Sequence, residues 1–192
     1  MEIFETMIKQ SRPKSFARAY SGKFKLARRR KLNFEETKQQ AQEYFNEKFA
    51  RGNSFLRDAK YTYSCEDFRQ SSFYLHQACE NYYYAIRLTF TLRNNKQHNL
   101  SKLSGSTKRY SDDLRTVFPQ DTTEGKRLFV LLKAAYVDAR YNPKFLVTKE
   151  DIDALIPKVE LLRDITKRIR KGRIKEYEES KKVSKKLIFL NL

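Results

Sequence analysis

The sequence has little of what disulfide-rich, metal-binding or β-sheet proteins need. It contains two cysteines, five glycines and four prolines in 192 residues, and no tryptophan. Cys65 and Cys79 are too few for a disulfide framework and lack paired metal spacing. Both stand in helical pattern, so we expect buried, unreactive thiols. Because turn residues are scarce and no stretch alternates Val, Ile and Thr as a strand does, the chain is predicted to be all-α. We expect neither a metal site nor a cofactor.

Long apolar runs are missing as well. The longest wholly apolar stretches are a handful of residues, far below the ~20 that span a bilayer. The first residues, Met1-Glu2-Ile3-Phe4-Glu5, lack the basic start and apolar stretch of a signal peptide. We therefore expect a cytoplasmic protein that makes no membrane contact.

Lysine and arginine are abundant, and most of their excess lies at the two ends. The formal net charge is +18. Residues 1–32 hold ten Lys/Arg against two Glu, and residues 167–192 hold ten against three, which leaves +3 for everything between. We predict a basic N-terminal segment (1–32), a helical bundle (33–171) and a basic C-terminal tail (172–192). The basic ends either attract phosphate backbones or serve as solvated tails that keep the protein soluble.

The central part repeats apolar residues at helical spacing and predicts an up-and-down antiparallel bundle of about five helices. With 40% hydrophobic residues the chain can bury one core. The second helix is expected to end near Asn94-Asn95, the third to continue past Leu114, and the fifth to kink at Pro157. The predicted helix starts are Asn33 with Glu36, Phe68, Asn99, Asp121 with Glu124, and Thr148 with Asp151.

The end of the fourth helix is the most informative segment of the chain. It reads Ala135-Tyr136-Val137-Asp138-Ala139-Arg140-Tyr141-Asn142-Pro143. Pro143 disfavours the α conformation at Asn142, so the helix should end by Tyr141 or Asn142. Arg140 lies in the last turn, where a cation is favoured. It either caps the helix or lines a site.

A second set of polar residues lies on the second helix. His76 and Glu80 are four residues apart and project from one face. If that face meets the end of the fourth helix, His76, Glu80, Asp138, Arg140 and Tyr141 converge. Arg140 would then hold a phosphate, Tyr141 would stack or donate, and Glu80 would accept a hydrogen bond from a base or sugar. The alternative is a buried network in which Glu80 neutralises Arg140.

Three consecutive tyrosines follow on the same helix. Tyr82, Tyr83 and Tyr84 are spread about 100° apart and cannot share one face. Tyr82 fits the core stripe, so Tyr83 or Tyr84 should face another surface. That surface suits a homodimer interface or, alternatively, stacking on nucleobases.

Three motifs in order resemble successive signatures of HEPN domains. They are Phe73-Tyr-Leu-His-Gln-Ala-Cys-Glu80, Gln97-His-Asn-Leu-Ser-Lys-Leu103, and Leu128-Phe-Val-Leu-Leu-Lys-Ala-Ala-Tyr-Val-Asp-Ala-Arg-Tyr141. The resemblance covers roughly residues 40–170 and is greatest to the subgroup fused behind a minimal nucleotidyltransferase. Tyr20 to Ala27 resembles the linker of such fusions. The transferase signature itself is absent, because Gly105-Ser106 and Asp112-Asp113 differ from it in spacing and pattern.

The resemblance implies an RNA-cleaving pair made of an Arg and a His four to six residues later. Here the residues after Arg140 run from Tyr141 to Leu146 without a histidine. A guanidinium cannot act as a base at neutral pH, so the resemblance does not extend to the base of the family's ribonuclease mechanism. Arg140 and His76 remain the catalytic candidates. The candidate ligand-binding residues are His76, Glu80, Asp138, Arg140, Tyr141, Asn142 and Lys144.

The sequence therefore predicts a HEPN-type domain that binds a nucleotide or RNA without efficient catalysis, as a homodimer. One alternative is a ribonuclease toxin of a toxin–antitoxin pair, metal-independent and using Arg140 with His76 or no histidine. Another is a module that docks a separate nucleotidyltransferase subunit.

Overall fold

The structure is a computed structural model that describes residues 34–92 and 98–190. Within these ranges the chain forms helices and no β-strand, which confirms the predicted all-α bundle. The described residues form six α-helices, with a 3₁₀ turn at Lys108–Tyr110 after the third. The helices are α1 (Phe34–Ser64), α2 (Phe68–Thr91), α3 (Leu100–Thr107), α4 (Leu114–Val117), α5 (Thr123–Tyr141) and α6 (Lys149–Leu190).

The helix α2 is the centre of the bundle and packs against α1, α3, α5 and α6. A three-residue turn joins α1 to α2, so the two helices run antiparallel. The Asp67 carboxylate caps α2 by accepting a hydrogen bond from Gln70 N at 2.9 Å. Gly52 of α1 faces the ring of Tyr82 on α2, and the two helix backbones approach closely there. The largest fully buried side chains, which come from several helices, are Tyr82, Tyr83, Leu75, Ile86, Leu88, Leu103, Leu114, Leu128, Leu132, Ile152, Leu155 and Leu162.

The central position of α2 overturns the prediction for its tyrosines. Tyr82, Tyr83 and Tyr84 are 0%, 1% and 6% exposed, so none of them projects from an exposed surface as predicted. Neighbouring helices cover α2 on several sides, which removes the outward face that an isolated amphipathic helix would have. The prediction for the cysteines is right for Cys79, which is buried, and wrong for Cys65, which is exposed in the turn after α1.

Two predicted boundaries differ from the observed ones. The helix α2 ends at Thr91 rather than near Asn94-Asn95, because Leu92 adopts a left-handed conformation (φ 53°) and its N–H bonds Leu88 O. The predicted third helix is divided. Ser111 is extended (φ −166°) and separates α3 with its 3₁₀ turn from α4, although Leu114 still reaches the core.

The caps of the later helices follow local chemistry. Asn99 caps α3 as predicted, by accepting from Lys102 N at 2.9 Å. The cap of α5 is Thr122, which accepts from Gly125 N, and not the predicted Asp121; Glu124 pairs with Arg127 instead.

The last helix begins with the predicted capping box. Thr148 N donates to Asp151 Oδ2 at 3.1 Å, and Asp151 N donates to Thr148 Oγ1 at 3.2 Å. The helix continues through Pro157 and runs without interruption past residues 171 and 172. The predicted cap at Asn33 and the basic segment 1–32 lie outside the described residues.

Candidate functional site

The site is built where α2 crosses α5. Nδ1 of His76 lies 2.8 Å from the carbonyl oxygen of Leu132. A carbonyl oxygen only accepts, so Nδ1 carries a hydrogen and donates it. In the neutral ring the lone pair is then on Nε2, which points along α2 towards Glu80.

Glu80 lies between two histidines. Its Oε2 is 3.6 Å from Nε2 of His76, and both atoms are buried without a hydrogen bond in the described structure. The other oxygen, Oε1, is 3.2 Å from Nδ1 of His98. Because the His98 side chain is 60% exposed and that of Glu80 is 8% exposed, the carboxylate connects a buried histidine to one at the surface.

Tyr136 of α5 joins this group to Arg140. Its ring stacks on His76 with centroids 5.0 Å apart and lies parallel to His98 at 6.1 Å. The Arg140 guanidinium lies 4.7 Å from the Tyr136 ring, 5.1 Å from Phe73 and 5.0 Å from Tyr141. Its Nε donates to the carbonyl oxygen of Tyr136 at 2.9 Å. The side chain is exposed, and within the described structure no carboxylate lies within ion-pair distance of it.

The other candidates from the end of α5 are arranged differently. Oδ1 of Asp138 accepts from Asn142, and its carbonyl oxygen accepts from Arg69, two turns of α2 before His76. Asp138 is thus bonded to Asn142 and Arg69, and among the described residues no hydrogen bond or ion pair joins it to His76 or Glu80. Tyr141 is 71% exposed and touches this group only through Arg140. Lys144 is exposed, and its backbone N donates to Asn142 Oδ1 at 3.0 Å.

An open cleft of about 440 Å³ lies above Glu80, and we call it the central cleft. One wall comes from α1 and the others from α2, α5 and the start of α3. Its lining residues are Lys48, Arg51, Phe55, Gln77, Glu80, Asn81, Tyr84, His98 and Tyr136. The cleft thus combines cations at its rim, aromatic rings in its walls and a buried carboxylate at its floor.

Sequence reasoning missed several of these residues. Tyr136 stands four residues before Arg140, and that spacing was the signal that the two side chains are neighbours on α5. Lys48 and Arg51 gave no signal, since the chain has 41 Lys and Arg residues and nothing in α1 marks these two. His98 stands beside the predicted Asn99 cap, and its contact with Glu80 depends on how α3 packs beside α2.

Two buried ionisable groups of α2 are electrically neutral. Burial raises the pKa of the Cys79 thiol and of the Tyr83 hydroxyl well above their usual values. Cys79 is therefore no nucleophile at neutral pH. Among the described residues no group of three His, Cys, Asp or Glu is arranged to hold a metal ion, and none of the described helices is long and apolar enough to cross a bilayer.

Comparison with protein families gives a match to a known domain. The family model of the HEPN domain matches residues 45–170, a range that contains α2 to α5 and parts of α1 and α6. It therefore includes every residue of the central cleft as well as Arg140. A search of curated proteins finds no match to the chain.

Proposed function

The chain belongs to the HEPN domain family, and from that premise we propose that its central cleft binds single-stranded RNA or a nucleotide without efficient cleavage. The observation that carries the proposal is the unpaired Arg140 guanidinium, which lies on the Tyr136 ring beside the cleft. The exposed cation thus lies next to an aromatic ring, and these are the two kinds of group that bind single-stranded nucleic acids.

Phosphate binding has support from both sides of the cleft. Arg140 is exposed, and among the described residues its hydrogen bond to the protein uses Nε, so its terminal guanidinium nitrogens could contact a phosphate. Arg51 is exposed on the α1 wall, and Lys48 beside it is held by Glu47 at 2.9 Å. A planar guanidinium suits bidentate contact with a phosphate, and each charge-assisted hydrogen bond contributes about 1.5–3 kcal/mol.

Base stacking has support from the rings in the cleft walls. Tyr136 is half-buried and already stacks on His98, and Phe55 faces the cleft from α1. Stacking a base on an aromatic ring contributes about 1–3 kcal/mol and is largely independent of sequence. Together with the phosphate contacts it would hold a short single strand in the cleft.

The family's cleavage mechanism lacks one partner in this chain. No histidine occurs between Tyr141 and Leu146, the window in which the family pairs one with its arginine. His76 is 2% exposed and its Nδ1 is engaged by Leu132, so it is not positioned to meet a substrate. These two facts support binding over catalysis.

The direct test is fluorescence anisotropy with a labelled single-stranded RNA of mixed sequence. We expect Arg140→Ala to weaken binding about tenfold or more, since at least one charge-assisted contact is lost. Lys126→Ala is the matched control, because it removes an exposed cation from the same helix away from the cleft. Equal affinity of wild type, Arg140→Ala and Lys126→Ala would remove Arg140 from the binding site.

A specific observation favours a second candidate, metal-independent RNA cleavage. Glu80 accepts a hydrogen bond from Nδ1 of His98, which leaves Nε2 of the exposed ring free to act as a base. Nε2 would take the proton of a ribose 2′-OH as the 2′ oxygen attacks the phosphorus. The bond from phosphorus to the 5′ oxygen breaks in the same step, and the 5′ oxygen takes a proton from water. The same incubations tell the candidates apart. RNA that stays intact on a gel supports binding alone, and RNA shortened by wild type but not by His98→Ala supports cleavage.

The exposed face of α5 supports a protein partner as well. Val130 and Val137 are 58% and 51% exposed and lie two turns apart on this face. We propose it as the contact surface of a homodimer, with a separate nucleotidyltransferase subunit as the alternative occupant.

A further inference from the structure

The floor of the central cleft presents hydrogen-bond acceptors, while its rim presents donors. Glu80 is 6% exposed, and an ionised carboxylate accepts hydrogen bonds but donates none. Next to it, Nδ2 of Asn81 donates to the carbonyl oxygen of Gln77 at 2.8 Å. This uses one of the two N–H donors of the amide and leaves Oδ1 to accept. Lys48 and Arg51 at the rim are donors.

The two histidines lie next to different oxygens of the Glu80 carboxylate. His76 faces Oε2 from the protein interior, and His98 reaches Oε1 from the open side of the cleft. His98 is the exposed one of the two, so a ligand N–H group could take its place at Oε1 without leaving the buried carboxylate unpaired. The floor is therefore suited to a ligand edge that donates.

We propose that the central cleft selects guanine among the four RNA bases, with the Glu80 carboxylate as the group that reads the base. This inference rests on the proposed function, because it assigns base preference to the same nucleotide site. Guanine alone carries adjacent donors, N1–H and the 2-amino group, on its pairing edge. Adenine and cytosine place an acceptor nitrogen beside their amino group, and uracil places its single N–H between two carbonyl oxygens. Oε2 of Glu80 is buried, so a guanine edge would place one donor at Oε1 and the other at Oδ1 of Asn81, whereas each of the other bases would bring a lone pair to one of these two acceptors.

The experiment compares three single-stranded oligouridines that differ at one central position, which is guanine, inosine or adenine. Inosine keeps N1–H and lacks the 2-amino group, so it isolates one of the two donors. We expect wild type to bind the guanine strand at least about tenfold more tightly than the adenine strand, with inosine between them.

The variant Glu80→Gln tests the assignment to this side chain. Its amide has nearly the shape of the carboxylate, and with its nitrogen in the place of Oε1 it donates where Glu80 accepts. Together with the acceptor Oδ1 of Asn81, this donor matches the pairing edge of adenine. We expect the guanine preference to disappear and the adenine strand to bind more tightly than it does to wild type. Asn81→Leu gives a second variant at the floor, expected to reduce the guanine preference while Glu80 stays in place. Circular dichroism shows whether each variant is folded, and the three-strand comparison on wild type needs no variant.

The outcomes separate this inference from the proposed function. If wild type binds guanine and adenine strands within about twofold of each other, or if folded Glu80→Gln keeps the guanine preference, base selection by Glu80 is overturned. The proposed function survives that result as long as Arg140→Ala weakens every strand. If Arg140→Ala has no effect on any strand, both proposals fall.

Discussion

Replacing Gly52 with alanine is expected to destabilise the bundle, although glycine-to-alanine changes in helices usually stabilise. Gly52 is a buried residue of α1, and a Cβ atom placed on it would lie 2.6 Å from Cε1 and 2.8 Å from Cδ1 of Tyr82. The Tyr82 ring is fully buried, and its hydroxyl donates to Asn53 Oδ1 at 2.9 Å, which holds the ring in place. The clash can be relieved only if α1 and α2 move apart or the ring leaves its position.

Two opposing contributions determine the size of the effect. Alanine gains about 0.5–1 kcal/mol over glycine in a helix interior. Overpacking of a well-packed core costs about 1–3 kcal/mol. The net expectation is a loss of about 1–2 kcal/mol, which corresponds to a fall in Tm of about 2–8 °C for a chain of this size. Gly172 of α6 is the matched control: a Cβ atom at that position would meet nothing within 4 Å, so Gly172→Ala should gain about 0.5–1 kcal/mol.

The assay is urea unfolding followed by circular dichroism, for wild type and for each variant alone. A double-mutant cycle with Tyr82→Leu then isolates the contact, because the effect of Gly52→Ala should turn favourable once the ring is gone. Gly52→Ala as stable as Gly172→Ala would refute the close approach of α1 and α2 at this point. The same refutation follows if the loss persists unchanged in the Tyr82→Leu background.

Two further predictions concern ionisation and thiol reactivity. Burial by itself raises the pKa of Asp151, but the hydrogen bonds from Arg127 at 2.6 Å and from the Thr148 backbone outweigh it and hold the pKa below its usual 3.8. This carboxylate therefore stabilises the fold above about pH 4 and ceases to do so as the pH falls through its lowered pKa. The urea midpoint of Asp151→Asn should therefore fall less between neutral pH and about pH 3 than the midpoint of wild type. Parallel falls in the two proteins would contradict the assignment. Of the two thiols, the exposed Cys65 should react with a thiol reagent in the native protein, whereas the buried Cys79 should react only after unfolding. Rapid labelling of both thiols in the absence of urea would show that the core opens around Cys79.

The parts of the fold that follow from local chemistry were predictable. The end of α5 at Tyr141, the Asn99 cap and the Thr148–Asp151 capping box depend on residues within a turn of one another, and the sequence displays them directly. The all-α class followed from the shortage of turn residues and of strand patterns.

The rest depended on packing between distant segments. Tyr83 and Tyr84 are buried because α2 is surrounded, and no pattern within α2 states how many neighbours will cover it. The candidate site shows the same limit. His76 and Glu80 were identified from their spacing, while the contact of Glu80 with His98 bridges 18 residues and two helices. No pattern in the sequence around Gly52 indicated that a buried ring would pack against it.

The crowding of α2 restricts how the site can diverge during evolution. Glu80 and Asn81 line the cleft, and in the same turn Cys79 and Tyr82 are fully buried in the core. An insertion or deletion anywhere in this helix would rotate both sets together, so the floor and the core are inherited as a unit. The α1 wall of the cleft can change more easily at Arg51, because this side chain is exposed and its replacement leaves the core intact. We therefore expect relatives with other ligand preferences to differ first along α1 and at the start of α3, and to keep α2 nearly constant.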